Sequence, residues 1–111
     1  MSFAAGMARD MVLVARNSDL QFEINLLSEN DMQLQTVASQ LISLGVSLAT
    51  NSPQAQLLQA RQAQIALLSK GIEMRLELVK SQQKAVQTEL DAVQKTISDD
   101  INRSFKTFAN A

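Results

Sequence analysis

The sequence predicts an all-α fold: an antiparallel helical hairpin of two long, coiled-coil-like helices that packs into a homo-oligomeric helical assembly. Three observations carry this. Leu13, Leu20, Leu27, Leu34, Leu41 and Leu48 follow one another at steps of seven, as do Leu58, Ile65, Ile72, Val79, Val86 and Val93. A sustained seven-residue apolar repeat is a helical stripe that keeps facing the same partner. The single proline, Pro53, lies between the two columns. Reversal there sets residues equidistant from Pro53 at equal height, which predicts the layers Leu48 with Leu58, Leu41 with Ile65, Leu34 with Ile72, Leu27 with Val79, Leu20 with Val86 and Leu13 with Val93.

A chain of 111 residues forms one domain at most. Residues 1–111 are read as a single hairpin with a first arm over about 2–49, a turn at 50–53 and a second arm over about 53–108. Gly6 weakens the start of the first arm, since glycine inside a helix costs about 1 kcal/mol relative to alanine. Asn17-Ser18-Asp19 could cap a new helix, but the leucine period crosses this belt without a shift, so a continuous helix is expected. Ile42, Leu44, Val46 and Leu48 alternate with Ser43, Gly45 and Ser47, which is also a strand pattern. Helix is preferred because no second strand candidate exists to pair with it. Gly45 reads equally as a tolerated weak spot or as a close approach of another helix.

The turn is specified by Asn51, Ser52 and Pro53. Proline suits the first helical position, and Ser52 before it can accept a hydrogen bond from a free amide of the next turn. Gly71 interrupts the second arm's propensity but not its heptad. Val86, Leu90, Val93, Ile97, Ile101, Phe105 and Phe108 include consecutive steps of four, a stutter that relaxes the supercoil. Arg103 and Lys106 complement the dipole at the helix end. Charge also favours reversal, because the first arm is mostly acidic while the second holds eight basic and six acidic residues. Reflection about Pro53 places Asp31 level with Arg75, Asp10 beside Lys95, Arg16 beside Glu89 and Asp91, and Glu23 beside Lys84, with Glu29 opposite Glu77 as the one mismatch.

Two helices bury one seam, yet 46% of the residues are apolar, and two regions are apolar on every side: Met1 to Ala15, and Leu41 to Leu68. Helices of that kind are normally covered all round, which implies self-assembly or a permanent partner. From Met32 to Ala60 there is no Asp, Glu, Lys or Arg, whereas a solvated surface ordinarily carries charges. The candidate assembly interface therefore comprises Ile42, Val46, Leu57 and Leu67 near the turn. Phe3, Met7, Phe105 and Phe108 join it where the termini meet. The five methionines could form an adaptable binding surface, but at helical spacing they read more simply as filler.

Chemistry is sparse. Without His, Cys, Tyr or Trp, the usual general bases, thiol nucleophiles and imidazole ligands are missing. Asp99-Asp100 with Arg103 is more simply read as a helix-surface ion pair, Asp99 to Arg103. No glycine-rich phosphate loop or calcium loop occurs. No catalytic, cofactor-binding or metal site is expected, and the chain is read as a non-enzyme. A net charge of −1 argues against nucleic acid as a partner. No apolar run approaches the roughly 20 residues of a membrane span. No secretory signal is evident at the N-terminus, so the expectation is a cytoplasmic protein or one exported to the cell surface without a cleaved signal.

Asn51-Ser-Pro-Gln-Ala-Gln-Leu-Leu-Gln-Ala-Arg-Gln-Ala-Gln64 resembles the turn and second helix of type III secretion needle subunits, and Ile97 to Phe108 (ISDDINRSFKTF) is similar to their amphipathic C-terminal end. The resemblance implies a short hairpin that polymerises into a hollow tube with polar residues toward the channel and is exported without a cleaved signal. Gln82 to Phe108 also resembles the tails of small uncharacterised bacterial coiled-coil proteins, which implies no function. Secreted WXG-type hairpins share the outline, but their turn tryptophan is absent and only Ser43-Leu44-Gly45 lies nearby. The functional expectation is a structural subunit that binds copies of itself, as a bacterial filament or tube. The alternative is a coiled-coil adaptor or secretion chaperone that covers a partner protein.

Overall fold

A computed structural model describes residues 2–109. They form two α-helices and no strand: α1, Phe3–Gly45, and α2, Pro53–Ala109. Both starts are capped in the same way. The Ser2 hydroxyl accepts a hydrogen bond from the Ala5 amide at 3.1 Å, and the Ser52 hydroxyl accepts one from the Ala55 amide at 3.1 Å. Each satisfies an amide that the first helical turn leaves without a partner. Asn17-Ser18-Asp19 lies inside α1, which continues through it, and Ile42 to Gly45 is helical.

The first helix stops at Gly45, short of the expected 49, and the turn occupies residues 46–52 rather than 50–53. Glycine is the residue that least rewards another helical turn, and the carbonyls released there find local partners. Leu44 accepts from the Ser47 hydroxyl at 3.2 Å, and Gly45 from the Leu48 amide at 3.2 Å. On the far side, the Ser52 amide donates to the Ala49 carbonyl at 3.1 Å. Pro53 disfavours helical backbone at Ser52 and so defines where α2 begins.

The paired helices form two compact units. The terminal unit joins α1 up to Phe22 with α2 from Lys80 onward. Its core is Leu13, Leu20, Val86, Leu90 and Val93, all buried. Gly6, one heptad before Leu13, is buried as well. The turn unit, Glu23–Val79, buries Ile24 and Val79 and half-buries Leu27, Leu34, Leu41, Leu48, Leu58, Ile65 and Ile72. Every residue of the two apolar columns is thus buried or half-buried.

Each helix also shields a second column. On α1 it is Asp10, Asn17, Ile24, Asp31, Ala38 and Gly45; on α2 it is Ala55, Gln62, Ser69, Leu76, Gln83, Leu90 and Ile97, and none of these is exposed. Two columns per helix is the full seam of a coiled coil. Register follows from the close approach at the turn, where a Cβ added at Gly45 would lie 3.8 Å from the Leu58 side chain. Leu58 therefore stands against Gly45, not level with Leu48. Ala38 and Ile65 line one groove in the same register. Reflection about Pro53 misplaces the layers by about half a heptad because the chain reverses over residues 46–52, ahead of the proline.

Candidate assembly surface

Polar groups enter the seam from α1's second column, and each has a partner. The Ser69 hydroxyl donates to Asp31 Oδ1 at 2.7 Å, and Gln35 Nε2 adds a bond to Asp31 Oδ2 at 3.1 Å. Gln94 Nε2 donates to Asp10 Oδ1 at 3.2 Å, and Gln87 Nε2 to Asn17 Oδ1 at 3.2 Å. Gln83 Nε2 reaches Gln21 Oε1 at 2.8 Å. Among the described residues no buried side-chain nitrogen or oxygen lacks a hydrogen-bond partner. Satisfied polar positions cost little stability and penalise other registers, where they would meet apolar side chains.

The ion pairs differ from those expected. Arg75 bonds Glu23, Nε at 2.9 Å and Nη2 at 2.7 Å, instead of Asp31. Glu89 takes Arg9 instead of Arg16, with Nε at 2.9 Å. Glu23 is held by Arg75 rather than Lys84, and Asp10 by Gln94 rather than Lys95. Arg103 approaches Asp100 at 3.4 Å, one residue from the expected Asp99. The pairs between the helices follow the observed register, in which the chain reverses ahead of Pro53, whereas Arg103 and Asp100 pair within α2, where the reversal has no bearing. The arginines and Glu89 are well exposed, with Glu23 and Asp100 half-buried, so the pairs between the helices steer register and add at most about 1 kcal/mol each.

For ligand chemistry the structure offers little. Among the described residues no group of three or more His, Cys, Asp or Glu could hold a metal ion. No helix among them is long and apolar enough to cross a membrane. The grooves are open depressions along the helices; one of about 280 Å³ beside Val12 and Ala85 is closed at its edge by the Arg9 to Glu89 pair.

What distinguishes the surface is its apolar content. In the turn unit Ile42, Val46, Leu57 and Leu67 are exposed, with Val46 84% and Leu67 71% accessible. Val37, Leu44 and Leu68 are exposed beside them and were not singled out from sequence. The unread signal was the second seam column, which fixes the positions that must point away from the partner helix. Hydroxyls on this stretch of α1 and at the start of the turn point inward: Thr36, Ser39, Ser43 and Ser47 donate to backbone carbonyls three or four residues earlier, at 3.0 to 3.2 Å. They present carbon rather than an unsatisfied donor.

The terminal unit carries a second apolar set. Phe3, Met7, Phe105 and Phe108 are exposed there, Phe108 at 83%, as are Met11, Val12, Val14 and Ile101. None of the three phenylalanines plugs the core, which the leucines and valines already fill. The chain matches no protein-family model, no curated protein and no solved structure.

Proposed function

We propose that this protein is a non-catalytic structural subunit that assembles with copies of itself into a filament or tube. The observation that carries the reading is the exposed apolar surface of the turn unit, of which Ile42, Leu44, Val46 and Leu57 lie in the stretch from Met32 to Ala60 that has no ionisable side chain. Burying an aliphatic side chain is worth about 1.5–3 kcal/mol. Covering Ile42, Val46, Leu57 and Leu67 would contribute roughly 6–12 kcal/mol, comparable with the ~4–15 kcal/mol that association costs in lost freedom. The terminal unit's apolar set supplies a second contact, and two different contacts on one subunit allow growth beyond a closed pair. The likeness of Asn51 to Gln64 and of Ile97 to Phe108 to secretion-needle subunits supports a filament in particular.

Light scattering and electron microscopy of the purified chain, with no other component, test this. Large particles that grow with concentration are expected. A small, monodisperse species at every concentration, changing only when a second protein is added, would replace the subunit with an adaptor or secretion chaperone.

A further inference from the structure

The apolar surface of the turn unit has several conceivable occupants, and charge selects among them. We infer that it docks on the same surface of a second copy, turn unit against turn unit. The inference rests on the self-assembly reading above and specifies which surfaces meet.

When identical patches meet across a twofold axis, residues near the axis face their own copies, so any charge there faces a like charge. The stretch from Met32 to Ala60 avoids that conflict by having none. The other apolar set does not. Within a few residues of Phe3, Phe105 and Phe108 along the chain lie Arg9, Asp10, Asp99, Asp100, Arg103 and Lys106. Docking the turn unit on that region would strip these groups of water against a surface with no counter-charge, and an unpaired charge is strongly disfavoured in a dry interface. The uncharged part of the surface, around Leu44, Val46 and Leu57, is complementary to itself and poorly complementary to the chain's other apolar region.

Hydrogen bonding agrees. The hydroxyls of Thr36, Ser39, Ser43 and Ser47 are already engaged with backbone carbonyls of α1, so covering them orphans no donor. Val46, the most exposed of the large apolar side chains among the described residues, lies in the turn just beyond the end of α1, with Leu44 exposed two residues before it.

The test pairs two variants of the full chain, Leu44→Lys with Val46→Lys, and Leu44→Asp with Val46→Asp. Both sites are exposed, so each variant should keep the parent's helicity by circular dichroism. Each alone should lose the large particles and fall to the small mass that the terminal contact alone supports, at least the 12.2 kDa of one chain, in multi-angle light scattering, while an equimolar mixture should recover at least a doubling of that mass, because opposite charges then face across the contact. Recovery at low salt that fades at high salt completes the expected result. Variants that assemble like the parent would overturn the inference. So would a mixture that gains no mass over either variant alone while each variant still joins the parent chain, which would place the turn unit against a different surface and leave self-assembly standing. A parent chain that never exceeds one copy would overturn both readings. Should a double variant lose helicity, Leu57→Lys mixed with Leu57→Asp gives the same readout from α2.

Discussion

Replacing Leu13 by alanine probes the terminal unit where it is most completely closed. Leu13 is 1% exposed and shares its core with Leu20, Val86, Leu90 and Val93. The substitution removes three carbons, about 2.4 kcal/mol at ~0.8 kcal/mol per buried methylene. The vacated space adds to this, and comparable core replacements lie between about 2.7 and 5.0 kcal/mol. Two helices can draw together more easily than a many-sided core, so the lower end applies, about 3 kcal/mol. A domain of this size has roughly 5–15 kcal/mol in total and loses about 4 °C of Tm per kcal/mol, so Tm should fall by about 12 °C. Met11→Ala is the control: Met11 sits two residues earlier on the same helix and is 69% exposed. It should change stability by no more than about 0.5 kcal/mol. Thermal melting followed by circular dichroism at matched concentrations reads both. Equal shifts for the two variants, or a parent-like melt for Leu13→Ala, would show that the seam does not hold this unit together.

Gly71→Ala should stabilise the chain by about 0.5–1 kcal/mol in chemical denaturation, because an added Cβ meets nothing within 4 Å and the helix interior gains from the more restricted residue. Ser69→Ala should cost about 1 kcal/mol by depriving Asp31 of its 2.7 Å bond. Replacing Asp31 and Ser69 together by leucine should recover that loss while loosening register, seen as extra products when cysteines placed along both helices are crosslinked. Arg9→Glu should lower stability by up to about 1 kcal/mol at low salt. Exchanging the pair, Arg9→Glu with Glu89→Arg, should restore it, and added salt should erase both differences in the melts.

Heptad periodicity is a local property of one helix, and the sequence by itself determined what depends on it. The two apolar columns, the cap formed by Ser52 and Pro53, the continuity of α1 through Asn17-Ser18-Asp19 and the uncharged stretch near the turn could all be read without knowing the partner helix. Pairing was different. A repeat of seven states which side of a helix is covered but not the height of its neighbour, because sliding by a few residues leaves the pattern intact. Height was decided where α1 stops at Gly45; that in turn brought Leu58 against Gly45 and gave Glu23, not Asp31, to Arg75. The second column of α1 was hidden for a related reason. Asp10, Asn17 and Asp31 look like solvated surface in a sequence, and only the facing glutamines and Ser69 make them seam residues. Tertiary structure alone could decide this, since a polar side chain is tolerated in a seam only when the opposite helix, distant in sequence, satisfies it.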